Sequence, residues 1–553
     1  MTVGLPEPFP CLPTIEEEDR NPAIRLFGKR FIAEQGALEL LVEFLSVVCC
    51  EKQISTVGLI YGPLPSRDAL VAWPRSAPLQ YRPPVKLNLK LFALLGASPV
   101  HTRHPAHMEH YESLTRRLES MIKMNGGRVR EAVEWLEELM AGFQGAGSSR
   151  TWCAQTFFPV SRGLLTQETL WNETEARGHP ATDWLDYVGD FLRYFSVSRH
   201  RFLARGGELL YLQLCNALTA PPGSHAHFVD SLRQCEPLCV SRGEEDPAEL
   251  QRVLQHGLSN VFGRPNGAFD ALIDTLDGLD PHTQRAVASA RGKDDGWLAC
   301  EWCPRESWKE GYLFAIELSR VLTARLDPIE RLESLVVSCA LQVLRSLCAQ
   351  SARYVEMDPA EGPWEYAWVM TPPEGASAPL RMASQRNLQV VQRMIYQALR
   401  GDALVTNAHG GPVSVDRLYR EADTRYGHKL LLNLGKKLGL IAPKRGRGAR
   451  FVMTDEVLRY LVLALLRPGE RCTYDTFLRR LYLHYGMAIE EEYLDGAAAW
   501  SGLAPNRTMQ PGKGSWLAGM LRAGGFLTEL SDACAVVRNP YEPEVEGARG
   551  GGA

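Results

Sequence analysis

Apolar residues recur at helical spacing along most of the chain. In residues 37–49, one face carries Leu38, Leu41, Leu45 and Val48, whereas two glutamates lie off that face. Apolar positions three and four residues apart are typical of an amphipathic helix. Comparable patterns predict helices over residues 108–124, 128–143, 184–195, 208–218 and 331–350. We therefore expect a mainly α fold.

The C-terminal third contains one such pattern twice. Residues 414–427 and 473–486 each begin with a hydroxyl residue, Ser414 or Thr473, suited to capping a helix, and each ends in Tyr-Gly. Further on, residues 434–441 and 520–527 each join a helix end broken by glycine to an apolar strand. This order predicts two tandem winged helices, in which helices are followed by a β-hairpin wing.

The predicted elements of these two units can be given by residue number. The first unit has helices over 387–400, 415–426 and 429–438 and a hairpin over 440–452. The second has a helix capped by Thr454, helices over 474–485 and 515–523, and a hairpin over 526–538. Each hairpin would act as the wing of its unit.

The length of 553 residues exceeds what one hydrophobic core usually serves. Residues 357–383, dense in proline and glycine, are the best domain boundary. We predict a mixed α/β or helical domain at 1–150 and a helical middle domain at 151–380. A basic winged helix at 385–453, a neutral one at 454–545 and a disordered tail at 546–553 would follow.

Bulk composition narrows the class of protein. Hydrophobic residues make up 45% of the chain and charged residues 23%, which is typical of globular domains. The net charge is −4, so contact with nucleic acid must come from a local patch. We expect no secretory signal and no membrane-spanning stretch. Thirteen cysteines without a secretory signal then indicate reduced thiols and a cytoplasmic protein.

Positive charge is concentrated in the first unit. Between His428 and Arg450 there are seven basic residues and no acid. At about 100° per residue, the leucines of the third helix fall on one face and its lysines on the other. We predict nucleic-acid contacts by Lys429, Asn433, Lys436, Lys437, Lys444, Arg445, Arg447 and Arg450. Asn433 would touch a base edge, and the alternative is a solvated basic face.

The second unit lacks this charge. Between Gly514 and Arg538 there are two basic residues and two acids. A surface that faces phosphate would be more basic, so we expect a structural, dimeric or partner-binding role for this unit.

Three other motifs carry weaker signals. Residues 101–110 place four histidines three apart, but Pro105 interrupts the helix that would align them as metal ligands. The single CEWC at 300–303 has zinc-ligand spacing without a second pair, and two packed cysteines are the alternative. Residues 193–205 mix arginines with aromatic residues, as in either a nucleic-acid surface or an ordinary amphipathic helix. We expect no metal and no cofactor.

Short phrases at 21–31 (NPAIRLFGKRF), 87–98 (LNLKLFALLGAS) and 151–161 (TWCAQTFFPVS) resemble those of large proteins encoded in bacterial anti-phage defence islands. The nearest likeness is an accessory protein of the methylation-associated defence system. The resemblance implies a cytoplasmic bacterial protein that works beside separate methyltransferase, helicase or nuclease subunits. It transfers no functional residue to this chain.

These observations together predict a non-catalytic recognition or scaffolding subunit of a bacterial multi-protein system. Its partners would be duplex DNA and the other subunits of a defence complex. One alternative is a scaffold whose winged helices dock partner proteins. The other is an enzyme with a catalytic site in residues 21–380. Such a site would be unrecognised, because the sequence lacks the phosphate-loop, nucleophile-elbow and dinucleotide-binding signatures.

Overall fold

The fold was analysed in a computed structural model. It describes residues 4–11, 20–29, 31–55, 57–73, 77–90, 105–121, 129–142, 152–181, 183–197, 203–263, 267–291, 296–405, 414–503, 515–531 and 534–544. The mainly α class is confirmed, because these residues form 23 helices and little sheet.

Fourteen helices lie in the N-terminal half of the described chain. They are α1 (Pro22–Phe27), α2 (Ala37–Cys49), α3 (Arg67–Val71), α4 (Pro105–Met121), α5 (Val129–Gly142), α6 (Glu173–Gly178), α7 (Trp184–Gly189), α8 (Phe191–Tyr194), α9 (Gly206–Leu218), α10 (Pro222–Cys235), α11 (Arg242–Glu245), α12 (Pro247–Ser259), α13 (Gly267–Gly278) and α14 (Pro281–Ala290). The single helix predicted over 184–195 is two helices, because the chain leaves the helical conformation at Asp190.

Nine further helices complete the described part of the chain. They are α15 (Trp308–Thr323), α16 (Pro328–Arg353), α17 (Ala378–Ala398), α18 (Val415–Glu421), α19 (His428–Leu438), α20 (Asp455–Leu465), α21 (Tyr474–Tyr485), α22 (Glu491–Trp500) and α23 (Trp516–Ala523). A π-helical turn, Ala422–Tyr426, continues α18. We call residues 378–452 the first C-terminal unit and residues 455–538 the second.

The strands are short and lie in small sheets. They are β1 (Pro8–Phe9), β2 (Lys52–Ile54), β3 (Gly58–Ile60), β4 (Leu79–Tyr81), β5 (Leu170–Trp171), β6 (Phe195–Ser196), β7 (Leu298–Ala299), β8 (Cys303–Pro304), β9 (Trp368–Val369), β10 (Ile441–Ala442), β11 (Arg450–Phe451), β12 (Arg471–Thr473), β13 (Met487–Ala488), β14 (Leu527–Ser531) and β15 (Cys534–Arg538). The stretch before residue 84, for which no strand was predicted, contributes three strands to the antiparallel sheet β3-β2-β4-β7. Strands of three residues are too short to give a readable alternation.

Helix α16 is the centre of the main core. Asp327 caps it, since the carboxylate accepts a hydrogen bond from the Ile329 amide, and Pro328 occupies its first turn. Helices α2, α9, α15, α17, α19 and α20 pack around it. Among the described residues, α16 is the one helix long and apolar enough to span a membrane, and 89% of its most apolar stretch is buried inside the protein. Its composition is therefore that of a core helix.

One continuous hydrophobic cluster runs from Phe9 to Val537. It includes residues from all four predicted domains, whose boundaries stay a prediction. The proline-rich and glycine-rich segment 357–377 contributes Trp364 and Trp368 to this cluster, and its strand β9 pairs in parallel with β13. A second, separate cluster joins α4, α5, α7 and α8 to α13 and α14.

A buried ion pair joins α15, α16 and the second C-terminal unit. Both terminal nitrogens of the Arg345 guanidinium donate to the Glu317 carboxylate, at 2.7 and 2.9 Å. The same carboxylate lies 2.7 Å from His484 Nδ1 and accepts a bond of 2.8 Å from the Tyr485 hydroxyl. Burial disfavours the charge, but Arg345 and His484 outweigh it and hold the pKa of Glu317 below its ordinary value.

A second buried pair fastens α20 to the middle of the chain. Arg320 binds Glu244 at 2.6 Å and donates to the carbonyls of Ala464 and Leu465 at the end of α20. Burial opposes ionisation of Glu244, yet Arg320 lowers the pKa of this carboxyl to about 2. The last turn of α20 is therefore satisfied by a guanidinium from α15 rather than by water.

Two carboxyl groups share a buried region between α2 and α9. The Gln35 amide and the Gly207 backbone N–H both donate to Glu43, at 2.9 and 2.7 Å. Tyr81 donates to Glu208 at 2.7 Å. Burial, together with the nearby charge of Glu208, raises the pKa of Glu43 to about 8. Glu43 is thus protonated at neutral pH.

We expect Glu317→Gln to lower the free energy of unfolding by about 3–5 kcal/mol, because it leaves the Arg345 charge buried without a counterion. Urea denaturation would measure this. The control Arg252→Gln breaks the exposed pair with Glu249 and should cost less than about 1 kcal/mol. Equal losses in the two variants would contradict a central role for the buried pair.

The raised pKa of Glu43 makes stability depend on pH. The contribution of Glu43 to the free energy of unfolding is present in full below about pH 4.5 and is lost as the pH rises towards 8. In Glu43→Gln the side chain is neutral at every pH. We therefore expect the melting temperature of this variant, relative to the parent, to rise between pH 5 and pH 8. The exposed control Glu134→Gln should follow the parent, and a constant difference for Glu43→Gln would sink the idea.

Candidate nucleic-acid interface

The first C-terminal unit begins earlier than its sequence pattern indicates. Helix α17 starts at Ala378 rather than at residue 387, because Ser377 accepts a hydrogen bond from the Leu380 amide and a proline follows in the first turn. Ser414, expected to cap α18, makes no side-chain cap bond, whereas Thr473 and Thr454 do cap their helices. Helix α18 and the π-helical turn together cover the predicted 415–426.

Helix α19 separates an apolar face from a polar one. Leu430, Leu431, Leu434 and Leu438 are buried against the surrounding helices. Gly439 ends the helix at φ +81°, a conformation that favours glycine. The opposite face exposes Lys429, Asn433 and Lys437, and Lys436 is half-buried beside them. Packing and presentation of charge thus use different sides of one helix.

A short hairpin follows α19. Ile441 pairs with Phe451 and Ala442 with Arg450, as expected for residues 440–452. In the hairpin loop (residues 443–449), Lys444, Arg445 and Arg447 are exposed. Two glycines in this loop, at 446 and 448, have φ values of +95° and +85°. The Gln385 amide donates to the carbonyl of Gly448 at 3.4 Å, which ties the loop to α17.

Arg450 is already engaged within the protein. Its Nε lies 3.2 Å from the Thr371 hydroxyl, and a terminal nitrogen donates to the Pro373 carbonyl at 3.1 Å. It therefore fixes the base of the hairpin to the preceding segment.

Helix α19 and the hairpin loop carry a group of cations with few acidic partners among the described residues. We define the cation cluster as Lys429, Lys436, Lys437, Lys444, Arg445 and Arg447. Within the described ranges, five of these six, all except Lys437, have no carboxylate at ion-pair distance. Lys437 Nζ lies 3.5 Å from the carbonyl of Glu34. Other exposed arginines, such as Arg252 and Arg193, do pair with acids. A group of like charges without counterions favours an anionic partner.

His428 stands at the first turn of α19 beside this cluster. Burial lowers its pKa, although the nearby Asp423 opposes the shift. The side chain is therefore neutral at pH 7 and adds no charge to the interface.

Helix α17 carries three further cations that the sequence pattern did not single out. Arg381, Arg386 and Arg393 are exposed, and none has a carboxylate partner in the described part of the chain. Residues 375–401 contain no acid, which is a signal the sequence already held. The late predicted start at 387 placed two of these arginines outside the helix.

The second C-terminal unit is arranged differently. Helix α21 is largely buried, and its Arg480 and His484 are fully enclosed. Strands β12, β15 and β14 form an antiparallel sheet that closes the unit. On its exposed face, Arg522 pairs with Glu529. Arg471 and Arg538, which are register partners on β12 and β15, are exposed without a carboxylate at ion-pair distance, so among the described residues this unit holds fewer unpaired cations than the first.

Searches against protein-family models, curated proteins and solved structures gave no match.

The weaker motifs contribute little to this interface. Cys300 and Cys303 are buried in the main core, and no group of metal-binding side chains occurs among the described residues. Arg193 pairs with Asp190, and Arg205 with Glu301. The other two arginines of that motif, and the first two of the four histidines at 101–110, lie outside the described residues.

The different surroundings of Arg450 and Arg447 can be tested by stability. We expect Arg450→Ala to lower the free energy of unfolding by about 1–3 kcal/mol, because two hydrogen bonds are lost. Arg447→Ala, an exposed position without such bonds, should change it by less than about 0.5 kcal/mol. Urea denaturation of both variants checks this, and equal effects would contradict the placement.

Proposed function

We propose that this protein is a non-catalytic DNA-binding subunit, and that its first C-terminal unit is a winged helix that contacts duplex DNA. The observation that carries the proposal is the cation cluster on α19 and the adjoining hairpin loop, in which five cations other than Lys437 have no carboxylate at ion-pair distance among the described residues. The order of α17, α18, α19 and the hairpin is that of a winged helix, with α19 in the position of the recognition helix.

The dimensions of α19 suit a DNA groove. With its side chains an α-helix is about 10–12 Å across, and the major groove of B-DNA, about 12 Å wide, admits it. Asn433 lies in the middle of the exposed face, where its amide could bond an adenine edge. Lys429 and Lys437 flank it at a spacing of one helical turn and would contact phosphates.

The hairpin loop would make the second contact. Its glycines let the backbone approach a phosphate closely, and its arginines suit phosphate or minor-groove contact. The arginines of α17 extend the proposed surface on the side to which the Gln385–Gly448 bond ties the loop. We leave Arg450 out of the proposed interface, because its contacts are within the protein.

We propose a scaffolding role for the second unit. Its helix α21 is held in the core, and a groove of about 680 Å³ lies between its sheet and the loop at 236–238. Leu238 and Leu530 are 62% and 67% exposed at this groove. These features favour a protein partner over nucleic acid for this unit. The anti-phage setting and the cytoplasmic location stay predictions from sequence.

Removal of four cations should weaken DNA binding. We expect the variant Lys436→Ala, Lys437→Ala, Arg445→Ala, Arg447→Ala of the full chain to bind a labelled duplex at least about 100-fold more weakly at low salt. Fluorescence anisotropy between about 50 and 200 mM salt would also give the slope of affinity against salt. That slope should fall by roughly 3 to 4, since each phosphate contact contributes about 0.9.

A matched control keeps the change in net charge equal. It combines Arg130→Ala, Arg193→Ala, Arg252→Ala and Arg459→Ala, which replace exposed arginines that pair with acids. This control should bind duplex DNA as the parent does. If the cation-cluster variant also bound like the parent, or if binding were insensitive to salt, DNA binding by α19 would be refuted. Association with a protein that survives high salt would then favour the scaffold alternative.

A further inference from the structure

A cleft opens between the main core and the second hydrophobic cluster. Its larger lobe has a volume of about 600 Å³ and lies between the end of α2, the residues after β4 and helix α13. A smaller lobe of about 290 Å³ adjoins it, and Arg82 and Arg291 line both. Cavities of this combined size hold small organic ligands in many proteins.

Two guanidinium groups in this cleft lack a counterion. In the part of the chain that the structure describes, neither Arg162 nor Arg291 has a carboxylate at ion-pair distance. Arg162 donates to the Cys49 carbonyl, and Arg291 donates to Pro83 and, at 3.1 Å, to the Gln167 side chain. Only one nitrogen of each group is used in these bonds. Arg162 keeps a pair of adjacent N–H groups in the geometry that binds phosphate in a bidentate manner, and Arg291 keeps the N–H groups of its Nε and of its other terminal nitrogen for single hydrogen bonds.

The positive charges of the cleft lie close enough to influence one another. Burial lowers the pKa of Arg291, and the neighbouring Arg82 lowers it further. Burial also raises the pKa of the Cys50 thiol, to about 12, while Arg162 and Arg291 act in the opposite direction. Cys50 therefore stays neutral, and both arginines act on the same point of the cleft.

Two other cations of the cleft form ion pairs with acids that are exposed to solvent. Arg82 pairs with Glu51 and Lys86 with Asp274. Asp274 is 72% exposed and Glu51 is 47% exposed. Pairs with such exposed acids contribute little to stability, so an incoming anion could compete for the cations.

The smaller lobe has a different character. It combines the apolar side chains of Val85, Leu87 and Val287 with the polar groups of Asn88 and Gln284 and the carboxyl group of Asp277. Such a lining suits an uncharged ring or sugar that makes a few hydrogen bonds. Arg82 and Arg291, which line both lobes, lie where a charged group attached to that ring would be bound.

We propose that this cleft binds a phosphorylated small molecule of nucleotide or sugar-phosphate size. Arg162 and Arg291 hold the phosphate, and the smaller lobe holds the uncharged part. The site is independent of the DNA interface, because it uses none of the residues of the first C-terminal unit.

Isothermal titration calorimetry of the full chain with pyrophosphate, AMP and ribose 5-phosphate tests this. We expect at least one probe to bind with a Kd below about 1 mM. Arg291→Gln and Arg162→Gln should each weaken that binding by about 10- to 100-fold, the loss typical of a charge-assisted hydrogen bond. Arg162 is exposed, so its variant should fold even if that of Arg291 does not.

Two controls separate this site from the DNA interface. Arg459→Gln, which alters an exposed arginine paired with Glu330, should bind the probe as the parent does. The four-alanine variant of the cation cluster should also bind the probe normally, and Arg162→Gln should bind DNA normally. The proposal is overturned if no probe binds, or if Arg162→Gln and Arg291→Gln bind as well as the parent.

Discussion

The Glu317–Arg345 pair is the constraint on which the packing of the large core depends. An ion pair without solvent is tolerated only if each charge has a partner and the remaining donors are satisfied. Here the partners come from α15, α16 and α21, which lie far apart in the sequence. Helix α16 is apolar enough to be buried in any orientation, but Arg345 permits only the orientation that faces Glu317. The polar residues thus select one arrangement among several that apolar burial would allow.

The same network explains why the two C-terminal units expose different surfaces. Helix α21 gives His484 and Tyr485 to the buried carboxylate, so its polar face is occupied within the protein. Helix α19 contacts the core mainly through its leucines and Gly435, and most of its polar face is in solvent, although Lys437 also donates to the Glu34 carbonyl. Two units with similar patterns therefore differ in what they can offer a partner. The difference follows from where each buried helix places its polar side chains.

Parts of the fold were readable from local pattern, and others were not. The bounds of α21 and the cap at Thr454 follow from spacing and from hydroxyl capping, which act over a few residues. The start of α17 was misjudged, because alanine and serine before residue 387 gave a weak apolar pattern. The strands β2, β3 and β4 were missed, since each has only three residues and β4 also depends on β7, where Gln80 pairs with Ala299 far along the chain.

The candidate interface shows the same division. Local sequence was sufficient for the charge of the cation cluster, for its helix and for the hairpin, because periodicity and glycine positions are properties of short segments. Packing of distant segments was needed to engage Arg450 with Thr371, to expose the arginines of α17 and to assemble the cleft around Arg162 and Arg291. Charge is carried by single residues, whereas its neutralisation depends on which distant partners the fold brings within reach.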